Sequence, residues 1–132
     1  MPTFTPPETI AASAAVVGLM ICLDVAAGIL SAATRGDIDS STLRHGLLHK
    51  LALVVAIALA IALEVAESVL AVGASVPLVV PVAGYIAIME ACSIYENLKH
   101  VNPDLHIKQF DDLFRFSDEG EVPVADDNKE EA

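Results

Sequence analysis

Basic side chains are scarce in this sequence. Its 7 lysines and arginines stand against 18 aspartates and glutamates, a net charge of −11. A chain so charged offers no basic face to a phosphate backbone, which excludes nucleic acid as a partner. Cysteine is limited to Cys22 and Cys92, both in apolar stretches where the residue behaves as a small hydrophobe, so free thiols are expected and no disulfide framework. Residues 1–9 contain Pro2, Pro6 and Pro7 but no lysine or arginine. They read as a short irregular lead that lacks the basic n-region of a secretory signal, so the first apolar stretch is expected to remain as a membrane span. The chain also lacks a Gly-rich phosphate loop or a nucleophile motif, and nothing recommends an enzyme or a cofactor. His45 and His49 have the i, i+4 spacing of a helical zinc pair, but no third ligand stands at a fixed spacing, so no metal is expected.

What the chain has is apolar surface. Hydrophobic residues make up 55% of 132, and the mean hydropathy is +0.60. A water-soluble domain of this size cannot hide that much, which points to a bilayer as the second solvent. Three stretches reach the roughly 20 residues that a bilayer requires. They predict an all-α integral membrane protein with transmembrane helices over 10–34, 47–69 and 76–98, the last including a polar extension. The connections are 35–46 and 70–75. Within the first, Gly36 to Ser41 reads as a turn with Ser40 or Ser41 capping the second helix. Pro77 fits a helix start, and Pro81 suggests a bend in the third helix. Residues 99–116 form a ragged amphipathic pattern expected to lie on the membrane or on a partner. Residues 117–132 read as a disordered acidic tail: from Asp111 onward nine acids meet two bases, so −7 of the net charge sits there. Arg35, Arg44 and Lys50 flank the first connection as interfacial basic residues, Lys99, Lys108 and Arg115 follow the third span, and the opposite side has none. By the positive-inside rule the N-terminus lies outside and the C-terminus is cytoplasmic.

Charged residues interrupt the spans. Ionisable groups at bilayer depth are costly and normally face a partner helix or a wet cavity. Asp24, Gly28 and Ser31 share one helix face, Glu90 sits inside the apolar part of the third span, and Ser93, Glu96 and Asn97 follow it. Asp24 comes about 14 residues into the first span, roughly 21 Å at 1.5 Å per residue, and Glu90 about as far into the third. Both are expected at similar depth, with Arg44, His49 and Lys50 entering from the start of the second span. Ala52, Ala56 and Ala60 form a small-residue stripe for helix packing that leads to Glu64, with Glu67 one turn on. A polar cluster for assembly or for lining water, and a plain packing cluster near the interface, both fit these residues.

Three blocks carry a family resemblance: Asp24-Val25-Ala26-Ala27-Gly28-Ile29, then Ser40-Ser41 with Arg44, Gly46 and Lys50, then Glu90-Ala91-Cys92-Ser93-Ile94-Tyr95-Glu96-Asn97. In order and spacing they resemble the phage holin family that also includes clostridial toxin-secretion holins. The likeness covers roughly residues 20 to 100 and fades beyond about 103. That family commonly carries an Asp late in the second span, where this chain has Glu64. The resemblance implies a protein of the bacterial cytoplasmic membrane that forms a homo-oligomer in the lipid bilayer and permeabilises it. An endolysin or a toxin would be the released cargo. Two other readings remain open on the residues alone. One is an accessory membrane subunit whose tail binds a partner, and the other is a fixed-size cation channel with Glu64 and Glu67 at one mouth.

Overall fold

In the computed structural model, which describes residues 5–70 and 76–112, the elements are three helices: α1 (Pro7–Arg35), α2 (Ser40–Leu70) and α3 (Val79–Val101). All three are long and apolar enough to cross a membrane. Each extends beyond the roughly 20 residues of a bilayer core or close to it, so polar ends project from the apolar slab.

Local chemistry sets the helix ends. α1 starts with Pro7 at the first helical position, where its missing N–H is no loss, and Glu8 in the first turn suits the positive end of the dipole. It stops at Gly36, whose φ of 68° is the left-handed conformation that a residue without Cβ adopts freely. There the Gly36 N–H reaches Ala33 O at 3.3 Å and the Asp37 N–H reaches Ala32 O at 3.2 Å, satisfying two terminal carbonyls. The cap of α2 is Asp39 rather than Ser40 or Ser41. Its Oδ1 accepts the Ser41 N–H at 3.1 Å, and its Oδ2 accepts the hydroxyls of Ser41 and Thr42. A carboxylate is the stronger acceptor at a helix N-terminus. The Ser41 hydroxyl, then the Ser41 amide, hold the Asp39 carboxyl below the ordinary range. α3 begins two residues after Pro77, and Pro81 falls in its first turn. There the missing N–H has no intrahelical partner to lose, so Pro81 is a helix-start residue. At the other end Pro103 follows the capping Asn102, whose N–H reaches Leu98 O at 2.8 Å.

Each helix turns a narrow stripe inward. The buried positions are Val17, Asp24, Ala27 and Ser31 on α1, Lys50, Ile57, Ala60 and Glu64 on α2, and Val79, Ala83, Ile86, Glu90 and Tyr95 on α3. Spacings of three, four and seven dominate, the seam of a left-handed bundle. Large side chains such as Leu19, Leu47, Leu51 and Leu59 point outward. That arrangement suits lipid as the surrounding solvent. α1 packs mainly along α3, and α2 leans on the pair more lightly.

The contacts also fix relative direction. Thr5 and Val79 meet Glu64 at one end, while Asp24 and Glu90 meet Lys50 at the other. α1 and α3 therefore run the same way, and α2 runs against them. Lys50 and Glu64 are fourteen residues apart on α2, about 21 Å along its axis. Between them lies the apolar core of Val17, Ile57, Ala60, Val79, Ala83 and Ile86.

Candidate functional site

The centre of the site is Lys50. Its ammonium lies 2.6 Å from both Glu90 Oε1 and Glu90 Oε2, and 2.8 Å from Asp24 Oδ2. An ammonium has three N–H donors, and these three oxygens take all of them. Lys50 is 8% exposed, Asp24 6% and Glu90 1%, so one residue from each helix contributes to a dry ion cluster. Such a cluster adds little net stability over an apolar core, but removing Lys50 strands both carboxylates. Two carboxylates face one cation, and one acceptor is left over. Asp24 Oδ1 is buried without a hydrogen-bond partner among the described residues, as is Ser31 Oγ two turns on.

Around the cluster the expected site residues divide. Gly28 packs under Asn97: a Cβ on Gly28 would sit 3.9 Å from Asn97 Nδ2, an ordinary contact. Ser93 is half-buried, and Glu96 is exposed. Arg35 is exposed and folds back, its Nε 3.4 Å from Ser31 O. Arg44 and His49 are exposed and do not join the cluster. Lys50, grouped by sequence with the interfacial bases, is thus the buried one. The sequence carried a signal for this: Lys50, Ile57 and Glu64 recur every seven residues on α2, as Val17, Asp24 and Ser31 do on α1. Of the alanine stripe only Ala60 is buried; Ala52 and Ala56 are exposed.

A cleft of about 530 Å³ opens between α1 and α2 on this side. Asp24, Gly28, Lys50 and Asn97 lie along it, and Arg35, Asp37, Asp39 and Thr42 line the part near the α1–α2 turn.

Glu64, 4% exposed, is satisfied differently. Its Oε1 accepts the Thr5 N–H at 3.1 Å and its Oε2 accepts the Val79 N–H at 3.0 Å. One carboxylate thus joins the starts of α1 and α3, where free amides and helix dipoles favour negative charge. Glu67 Oε2 accepts the Val76 N–H at 3.2 Å nearby.

A further cluster closes the end of α3. The buried Tyr95 donates its hydroxyl proton to Asp111 Oδ1 at 2.8 Å and accepts the Ile107 N–H at 3.1 Å, and its ring stacks on Phe110 at 5.1 Å between centroids. Lys99 reaches Asp111 Oδ1 at 2.9 Å, and His106 Nδ1 lies 3.5 Å from Asp111 Oδ2. Hydrogen bonds from Lys99, then Tyr95, hold the Asp111 carboxyl below its usual range. Residues 102–112 are thereby folded back onto α3, with 108–112 helical. The rest of the amphipathic segment and the acidic tail lie outside the described residues.

Three helices, each long and apolar enough to cross a membrane, with α1 and α3 parallel, α2 running against them and charges held inward, define a small multi-pass membrane protein. The family model of the bacteriophage holin family matches residues 10–109. The chain belongs to that family, and it is a holin-like membrane protein. No curated protein and no solved structure matches it.

Proposed function

We propose that this chain permeabilises the cytoplasmic membrane by self-association, releasing an endolysin or a toxin, with its N-terminus outside and its C-terminus in the cytoplasm. The observation that carries the reading is the Asp24–Lys50–Glu90 cluster. It satisfies charges from all three helices inside one bundle, so a single copy can sit in the bilayer without a leak. If the helices part, the same groups need water or new partners, and a wet lesion between copies supplies both. The exposed Ala52 and Ala56 leave a close-packing face on α2 for a second copy. Glu64 holds helix starts together in the closed bundle and is not free to ring a mouth there.

The test is inducible expression in a bacterium, following membrane potential and culture density with and without a co-expressed endolysin. A delayed and sudden potential collapse is expected, with lysis only when the endolysin is present. Continued growth at high inserted levels would contradict the proposal and favour an accessory subunit. Stepwise, cation-selective conductance would point instead to a channel of fixed size.

A further inference from the structure

The cleft between α1 and α2 ends at the ion cluster, and we propose that it is a cation-attracting aqueous vestibule with Asp24 as its floor. The inference concerns a single resting bundle and does not depend on a lesion.

Two independent observations carry it. The first is the unpartnered Asp24 Oδ1, in a residue 6% exposed that lies along the cleft. Buried carboxylate oxygens are nearly always hydrogen-bonded, and every ammonium donor of Lys50 is already engaged. Oδ1 is sealed off in the packed bundle, so a donor reaches it from the cleft when the side chains around it shift slightly, and a cleft of about 530 Å³ holds several waters. The second is the lining itself. Arg35, Asp37, Asp39 and Thr42 make the part near the turn polar, and Asn97 and Asp24 add polar groups to walls otherwise formed by Val25, Ile29, Ala32, Leu43 and Leu47. Glu90 stands behind Lys50, so four carboxylates oppose two cations around this space. In a low-dielectric wall such an imbalance concentrates small cations. Water stops at the cluster, because the layer of Val17, Ile57, Ala83 and Ile86 beyond it is apolar. A resting copy thus carries water part of the way across the membrane, with Lys50 as the stopper.

Accessibility of introduced thiols tests this. Cys22 and Cys92 are first replaced by alanine. Gly28→Cys then puts a thiol in the cleft beside Asp24, where the added Cβ makes only an ordinary contact. Gly18→Cys puts one at the level of the apolar core, where nothing lies within 4 Å. Each variant is reconstituted at about one copy per phosphatidylcholine vesicle, and membrane-impermeant methanethiosulfonates, one cationic and one anionic, are present on both faces. Gly28→Cys should react while Gly18→Cys does not. The cationic reagent should react about tenfold faster than the anionic one, in the lower range for steering by a charged cleft. Adding Asp24→Asn should narrow the difference between the two rates. Asn97→Cys repeats the measurement from α3 should Gly28→Cys fail to fold. An unreactive cleft thiol that a membrane-permeant maleimide still labels would show a space filled by lipid and overturn the proposal. Equal rates for the two reagents would overturn its charge selectivity.

Discussion

The two ends of the bundle bury carboxylates by different means. At one end Asp24 and Glu90 share the ammonium of Lys50, and the attraction is side chain to side chain across three helices. At the other, Glu64 accepts backbone N–H groups from the starts of α1 and α3 and needs no cation. The first solution is strong but brittle, since losing Lys50 leaves two bare carboxylates in low dielectric. The second is distributed, because helix starts have several free amides and water close by. On the proposed function, a brittle join at one end only gives the bundle one place at which to part.

The largest effect is expected from Lys50→Met, which strands two carboxylates. Chemical unfolding in detergent should show a loss of about 3–5 kcal/mol, the usual result of breaking a buried pair. Glu64→Gln should cost less, about 1–3 kcal/mol in the same assay, because the amide keeps one acceptor and loses the other. If the two substitutions cost the same, the contrast between the ends fails. Asp39→Ala removes the cap at the start of α2 on the Lys50 side and should cost about 1 kcal/mol.

The smallest effect should come with acid at the α3 latch. The Asp111 carboxyl is held low in the folded chain, so its contribution is complete above the ordinary aspartate range and is lost as pH falls through the lower folded value. Hydrogen exchange at the Ile107 amide should therefore stay protected at neutral pH and lose protection only in strong acid. Loss of protection already near neutral pH would mean that Asp111 does not govern the latch.

Much of this was legible in the sequence, and the rest for identifiable reasons was not. Asp24 and Glu90 stand out because a carboxylate inside an apolar run has few explanations, and counting 1.5 Å per residue placed them at one level. The turn at Gly36 follows from residue type. The burial of Lys50 was harder to see, since a lysine ten residues into α2 looks interfacial until the seven-residue recurrence with Ile57 and Glu64 is noticed. The partners of Glu64 had no signal at all: Thr5 lies 59 residues away and contributes a backbone amide, which every residue except proline carries. Nothing in the sequence singles out Asp39 over the serines beside it, because both types cap helices. The Tyr95 and Asp111 contact spans 16 residues and depends on how the chain turns after Pro103.

The most direct test of the central claim, that Lys50 serves as the shared counter-ion of Asp24 and Glu90, is the time of potential collapse in induced cells. It would be compared among the unaltered chain, Lys50→Met, and the triple variant Asp24→Asn, Lys50→Met, Glu90→Gln at matched membrane levels. The single substitution should collapse the potential early or prevent stable insertion, and the triple variant should return towards the unaltered timing because no bare charge remains. A triple variant as disturbed as the single one would contradict the account, since Lys50 would then act by something other than balancing those two acids.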